Sequence, residues 1–145
     1  MNDILKTIVE NLKKQGTLRF KNSVTEEQIK AFEKEKEILL PEEYKEYLQF
    51  SDGGHLFLPA GVQFYGVTEK PVIDVNEKYI LKNDDTEEIY YAIGALASGD
   101  PIIFKEGSNE IAIYNLEAGT IEEDEKYPNF YDFLNDLYDL LGIEE

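Results

Sequence analysis

The chemistry open to this chain depends on carboxylates, because the side chains that most enzymes use as nucleophiles and bases are scarce. The 145 residues include 31 Asp and Glu, a single histidine and no cysteine. Without cysteine the chain has no thiolate nucleophile, disulfide or thiolate metal site. His55 could form a triad with Ser51 or Ser98, but neither serine lies in a nucleophile-elbow motif. The sequence therefore predicts no catalytic residues.

Carboxylates can also catalyse reactions in pairs or hold cations, and neither use has a clear pattern here. With 31 acids some pairs fall close together by chance, so no glycosidase-like pair stands out. Residues 83–85 begin like a calcium-binding loop but lack its central glycine and final spacing. No glycine motif of the nucleotide-binding type occurs. We expect a protein that is not an enzyme, with no cofactor and no metal.

The carboxylates are concentrated in the second half of the chain. Residues 1–70 carry 10 basic and 12 acidic side chains, whereas residues 71–145 carry 4 basic and 19 acidic ones. A field of this sign repels nucleic acids and anionic membranes and attracts basic proteins. The first acidic run comprises Asp84, Asp85, Glu87 and Glu88, and the second acidic run comprises Glu122, Glu123, Asp124 and Glu125. Both runs could bind a basic partner, or they could be solvated loops that aid solubility.

Four helices are predicted to frame these runs. They span residues 2–15, a segment that starts near Thr25, a segment that runs from Pro41 to the Gly53-Gly54 pair, and residues 128–141. Their apolar residues recur at helical spacing. Thr25 has capping-box spacing to Gln28, and proline suits the first position of a helix. A further short helix is predicted at residues 74–81.

Between these helices, β-branched and aromatic residues predict strands at 55–58, 62–65, 89–93, 102–105 and 111–114, with a short one at 120–121. The turn at residues 106–109 suggests a hairpin. We therefore expect a single α+β domain over residues 1–145. Its central sheet of about four to six strands should be mainly antiparallel, packed by the N-terminal helices and a C-terminal helix. No apolar run is typical of a signal peptide or membrane span, so the expected location is cytoplasmic.

Aromatic residues are numerous, with 10 Tyr and 8 Phe. Most lie at core spacing, and the core is their expected place. Tyrosine also serves at protein interfaces, since it joins an apolar ring to a polar tip. The interface candidates are Tyr65, Tyr79, Tyr90, Tyr91 and Tyr127.

Residues 25–54, TEEQIKAFEKEKEILLPEEYKEYLQFSDGG, resemble the opening of the SUKH superfamily, which includes yeast cell-wall assembly regulators and many bacterial immunity proteins. The matching elements here are Ile29, Glu33, Leu40, Pro41, Tyr44, Leu48, Gly53 and Gly54. A weaker match includes Gly99 and Asp100, and the resemblance extends to the aromatic helix near residue 137. The chain has no tryptophan, which many relatives carry in the sheet.

The resemblance implies helices packed on a central sheet, with the motif residues mainly structural. It also implies an immunity protein that blocks a cognate toxin, often a nuclease, by tight stoichiometric binding. The acidic runs could then imitate nucleic acid in a basic toxin site, so we expect a basic partner. Two alternatives remain open: a regulatory or scaffold protein with endogenous partners, and a small-ligand-binding domain with a groove near Gly53-Gly54.

Overall fold

A computed structural model describes residues 3–14, 17–58, 61–68, 70–83, 86–105 and 107–137. These ranges contain four helices: α1 (Asp3–Lys13), α2 (Glu26–Lys36), α3 (Glu42–Leu48) and α4 (Phe130–Asn135). They contain eight strands: β1 (Thr17–Arg19), β2 (Gly54–Leu58), β3 (Val62–Phe64), β4 (Lys78–Asn83), β5 (Thr86–Leu96), β6 (Pro101–Lys105), β7 (Ile111–Asn115) and β8 (Thr120–Tyr127). The α+β class is confirmed, but the strands outnumber the expected four to six.

The strands form one antiparallel sheet in the order β1-β2-β3-β5-β6-β7-β8, with β4 also paired to β5. Strand β5 is long enough for two neighbours on one edge. Strand β3 pairs with residues 94–96, and β4 pairs with residues 86–91. Strand β6 occupies the other edge of β5, at residues 90–95. The β4–β5 hairpin is therefore an arm that extends beyond β3.

Local sequence signals explain where the helices begin. The Thr25 hydroxyl accepts a hydrogen bond from the Gln28 amide at 3.1 Å, and the Gln28 side chain accepts one from the Thr25 amide at 2.8 Å. This reciprocal pair is the predicted capping box. Pro41 was predicted as the first helical residue, but it is extended (φ −57°, ψ 139°) and α3 begins at Glu42. The prediction was wrong by one position, a usual uncertainty at helix ends.

Other predicted elements are corrected by long-range pairing. Residues 74–81 do not form a helix. The Asp74 carboxylate accepts a hydrogen bond from the Asn76 amide at 2.9 Å, which makes a local turn, and β4 follows as a partner of β5. Strand β1 has only three residues and was not predicted. Strand β8 is longer than the predicted residues 120–121. The prediction was too short because acidic residues are uncommon in strands and residues 122–125 are all acidic. The C-terminal helix was predicted to reach residue 141, but positions beyond 137 lie outside the described residues.

The two faces of the sheet carry two separate apolar clusters. The larger cluster lies between one face and the helices, and at its centre Tyr44, Phe64 and Phe130 contact one another with ring centroids 5.0–6.1 Å apart. The smaller cluster lies on the opposite face. Its buried members are Tyr90, Ala92, Ile103 and Ala112, and it contains no residue from the described helices. Across the described ranges, no helix has the length and apolar character that crossing a membrane requires.

Candidate binding surface

The sheet face that the described helices leave uncovered is the best candidate site, and we call it the tyrosine face. Its residues are Tyr65, Tyr79, Leu81, Tyr90, Ala92, Ile103, Ala112, Tyr114 and Ile121. The strand registers place them together, since side chains directly opposite each other in paired strands share a face. Tyr79 is opposite Tyr90, and Ile103 is opposite both Ala92 and Ala112.

Two rings from strands that are not neighbours meet on this face. The rings of Tyr79 and Tyr114 lie 5.0 Å apart, although β5 and β6 separate their strands. In a flat sheet, strands three positions apart are about 14 Å from each other. A bulge in β5 between Ala92 and Gly94 provides a bend. The tyrosine rings pack with the small residues beneath them, and Ile103 is fully buried although the described helices contribute no residue to this cluster.

The tyrosine hydroxyls orient carboxylates beside the face. The Tyr79 hydroxyl donates to Glu77 at 3.0 Å, and the Tyr90 hydroxyl donates to Glu88 at 2.7 Å. In both cases the glutamate lies two residues before its tyrosine. Burial, together with Glu77, raises the pKa of Tyr79 to about 12, and burial with Glu88 raises the pKa of Tyr90 further. Both hydroxyls therefore stay protonated at neutral pH and act as donors.

A cleft of about 410 Å³ opens at one end of the face, between β5 and β8. Its charged lining consists of Glu88, Lys105, Glu110 and Lys126. The Lys105 ammonium lies 3.5 Å from the Glu88 carboxylate. The hydrogen bond from Tyr90 is the largest cause that lowers the pKa of Glu88, and the charges of Lys105 and Lys126 act in the same direction. The cleft is thus balanced in charge rather than uniformly acidic.

The first acidic run is only partly described. Asp84 and Asp85 lie outside the described residues. Glu87 is exposed and its carboxylate lies 3.8 Å from the Lys82 ammonium, while Glu88 lines the cleft. The two described carboxylates of this run therefore each have a lysine within ion-pair distance.

The second acidic run lies in an edge strand. Residues 126 and 127 of β8 pair with residues 112 and 111 of β7, and residues 121 and 120 pair with residues 114 and 115. Residues 122–125 therefore oppose Ile113 alone and bulge out of the strand. Glu122 is exposed and Glu125 is half-buried, while the side chains of Glu123 and Asp124 are not described. Charged bulges of this kind keep an open sheet edge from pairing with other chains.

The end of the second run approaches the first. Lys126 follows Glu125 directly, and its charge helps to lower the pKa of Glu88. Lys126 lines the same cleft as Glu88, whereas none of residues 122–125 is among the described lining of that cleft.

The family-motif residues lie on the covered side of the sheet. Ile29, Leu40, Pro41, Tyr44 and Leu48 are buried. The Glu33 carboxylate accepts a hydrogen bond from the Leu40 amide at 2.8 Å and lies 3.5 Å from the Lys45 ammonium, which holds the segment between α2 and α3.

The glycine pair of the motif packs tightly against its neighbours. Gly53 has φ +98°, and a side chain there would place its Cβ 2.7 Å from the Phe64 carbonyl oxygen. Gly54 has φ +119° and a similar close approach to the Arg19 carbonyl oxygen. At the far end of β5, the Asp100 carboxylate accepts a hydrogen bond from the Leu116 amide at 3.2 Å, after Gly99 at φ +100°.

One motif residue connects the two faces. The Tyr44 hydroxyl donates to the main-chain carbonyls of Tyr65 and Ile93, the latter at 3.2 Å. Both carbonyls belong to the part of the sheet that carries the tyrosine face. The covered core therefore fixes the backbone from which the Tyr65 ring projects.

A buried carboxylate was missed by sequence reasoning. Asp52 is fully buried, and its oxygens accept hydrogen bonds from the Val67 amide at 2.6 Å, the Thr68 amide at 3.0 Å and the Thr68 hydroxyl at 2.6 Å. These bonds fix the loop that follows Tyr65. The only sequence signal was an acid directly before the glycine pair, and its partners lie about 15 residues away in the chain.

The interface candidates among the tyrosines divide between the two faces. Tyr65, Tyr79 and Tyr90 lie on the tyrosine face, whereas Tyr91 and Tyr127 pack in the larger core. Tyr114 was missed, and its two-residue spacing from Ala112 along β7 was the signal that places it on this face. In the described part of the chain, no group of three or more His, Asp or Glu residues is arranged to hold a metal ion.

Comparison with known proteins identifies one family. The sequence model of the family described as SMI1 / KNR4 family (SUKH-1) matches residues 23–136, which is 114 of the 145 residues. The match runs from the residues before α2 to the end of α4 and includes both faces of the sheet. No curated protein matches the chain.

Proposed function

The chain belongs to the SMI1/KNR4 family (SUKH-1), and from this membership we propose that it is a non-catalytic immunity protein. It binds a cognate bacterial toxin domain in a one-to-one complex in the cytoplasm and blocks the toxin's active site or substrate path. The family supports a role in binding or immunity, and the partner's identity is part of the proposal.

The observation that carries this proposal is the placement of charge. Residues 71–145 hold 19 acids against 4 lysines and include β4 to β8, which carry all of the tyrosine face except Tyr65. These five strands themselves hold six of the acids and all four lysines, so most of the excess negative charge lies in the segments around them. An uncovered protein surface within a strong negative field suits a basic protein partner. A nuclease is the expected class of toxin, because a site that holds phosphates is basic.

In this proposal the acidic runs attract the toxin and face its phosphate-binding groups. The runs are Asp84, Asp85, Glu87 and Glu88, and Glu122, Glu123, Asp124 and Glu125. The lysines near Glu87 and Glu88 do not prevent this, since ion pairs at a protein surface are worth only about 0–1 kcal/mol and exchange readily.

The family resemblance implies a toxin gene beside this gene, and the test is co-expression with the toxin domain that it encodes. We expect growth to be rescued and a one-to-one complex to co-purify. The association rate should fall as salt rises, because screening weakens the attraction. Absence of both rescue and complex would contradict the proposal. Capture of a host protein in place of the toxin would favour a regulatory protein, which is the role of the yeast regulators in the SUKH superfamily.

A matched pair of charge reversals tests the role of the second run. Glu122→Lys changes an exposed residue in β8, and Glu35→Lys makes the same charge change at an exposed position in α2. We expect Glu122→Lys to slow association with the toxin more than Glu35→Lys does. Equal rates for the two variants would show that only the net charge matters.

A further inference from the structure

We propose that the tyrosine face is the surface that holds the partner, and that the partner segment seated on it is a basic polypeptide that carries arginine. This inference rests on the proposed function and adds the contact surface and the chemistry of recognition. The acidic runs, apart from Glu88, would then attract the partner without holding it.

The tyrosine face has the composition of a protein-binding surface. Tyr65, Tyr79 and Tyr114 are only partly buried and pack with the buried Ala92 and Ile103. Rings of this kind offer a large apolar area with little conformational freedom to lose, and tyrosine is enriched among the residues that dominate binding energy. The large apolar side chains that are exposed in the described ranges do not belong to this face: Ile4, Leu39, Ile80 and Leu116.

The carboxylates beside these rings favour an arginine. Glu77 and Glu88 each accept a hydrogen bond from a tyrosine hydroxyl, which holds each carboxylate next to an aromatic ring. A guanidinium group stacks on an aromatic ring and donates paired hydrogen bonds to a carboxylate, which a lysine ammonium does not do. Exposed Glu110 adds a further carboxylate at the cleft. Lys105 and Lys126 also line the cleft, where the positive charges of both help to lower the pKa of Glu88.

Charge and rings would act on different rate constants. Long-range attraction by the acidic second half raises the association rate and depends on salt. Desolvated contacts at the centre of an interface mainly set the dissociation rate. A substitution on the tyrosine face should therefore speed dissociation, while a charge change elsewhere should alter association alone.

Neighbouring residues of β4 provide a matched test. Leu81 packs on the smaller cluster of the tyrosine face. Ile80 is 49 % exposed and is opposite Ile89, which packs against the larger core, so it points to the other side of the sheet. Leu81→Lys and Ile80→Lys make the same change in charge. We expect Leu81→Lys to raise the dissociation rate from the toxin roughly tenfold or more, and Ile80→Lys to leave it within about twofold.

Thermal unfolding by circular dichroism would first establish that both variants fold. If Leu81→Lys unfolds, Ile121→Lys on the tyrosine face and Leu116→Lys in the exposed turn after β7 form a second pair. Equal dissociation rates within a pair would overturn the tyrosine face as the contact surface, while rescue by the wild-type chain would leave the immunity function standing. Failure of the wild-type chain to bind the toxin would overturn both.

Discussion

The two faces of the sheet obtain their cover in different ways. On one face, four helices bury a continuous aromatic and aliphatic core, to which the family-motif residues Ile29, Leu40, Tyr44 and Leu48 contribute. On the other face, tyrosines from the strands themselves cover a few small residues. The first arrangement uses its aromatic rings for stability. The second leaves rings partly exposed, where they can also contact a partner.

The largest expected effect is on the covered face. Tyr44 is fully buried, contacts the rings of Tyr47, Phe64 and Phe130, and shares its one hydroxyl proton between the carbonyls of Tyr65 and Ile93. Tyr44→Ala should lower the free energy of unfolding by about 3–5 kcal/mol, since it leaves a cavity and removes the hydroxyl donor of the Tyr65 carbonyl. Tyr79→Ala, on the half-exposed tyrosine face, should cost less than about 2 kcal/mol. Urea unfolding of both variants checks the contrast, and similar losses would contradict it.

The loop that supports Tyr65 offers a second test. Asp52→Ala leaves the Val67 and Thr68 amides and the Thr68 hydroxyl without their acceptor, so we expect a loss of about 2–4 kcal/mol in unfolding free energy. Asp74→Ala is the control, because that carboxylate accepts one exposed bond from Asn76 and should cost under about 1 kcal/mol. Urea unfolding measures both. A loss for Asp52→Ala as small as that of the control would show that the loop is held by other contacts.

Alanine substitutions at two glycines with similar φ angles distinguish the cost of backbone strain from the cost of a steric clash. Gly53 (φ +98°) is in close contact with the Phe64 carbonyl, whereas no atom lies within 4 Å of a Cβ at Gly99 (φ +100°). Gly99→Ala should cost about 1 kcal/mol from backbone strain. Gly53→Ala should cost about 2 kcal/mol or more, since the clash adds to the strain. Thermal unfolding compares them, and equal shifts in melting temperature would mean that the close contact relaxes freely.

The smallest effect is a difference in pH dependence between the faces. Burial is the main cause that raises the pKa of Glu43. The Glu43 carboxylate accepts a hydrogen bond from the Tyr131 amide on the covered side of the sheet. A carboxyl whose pKa is raised by folding contributes stability at pH values below its pKa in the unfolded chain. That contribution is lost as the pH rises through the pKa of the folded chain. The lowered pKa of Glu88 has the opposite sign: its contribution is present above the unfolded value and is lost as pH falls through the folded pKa.

At about pH 7, Glu43→Gln should therefore stabilise the fold slightly and Glu88→Gln should destabilise it, each by under about 1 kcal/mol. At about pH 3.5 both differences from the wild-type chain should be smaller, and more completely so for Glu43, because a carboxyl with a raised pKa is protonated at a higher pH than one with a lowered pKa. Urea unfolding at the two pH values measures this. Effects of the same sign for both variants would show that overall charge repulsion outweighs the local environments.

The sequence by itself determined the features that depend on neighbouring residues. The Thr25 capping box, the approximate start of α3 after Pro41 and the turn between β6 and β7 follow from local hydrogen bonding and backbone preference. Grouped helices and alternating strand segments predicted the α+β class, and the family resemblance matches the family found. The charge imbalance between the two halves required only counting.

Only the tertiary structure decided which residues meet across the sheet. The arm includes β4, whose residues 78–81 fall within the predicted helix, and it brings Tyr79 onto Tyr114. The tertiary structure also gave Glu87 and Glu88 their lysine neighbours and Asp52 its buried donors. These contacts depend on strand register, which arises when segments far apart in the chain pack together, and no local pattern encodes them.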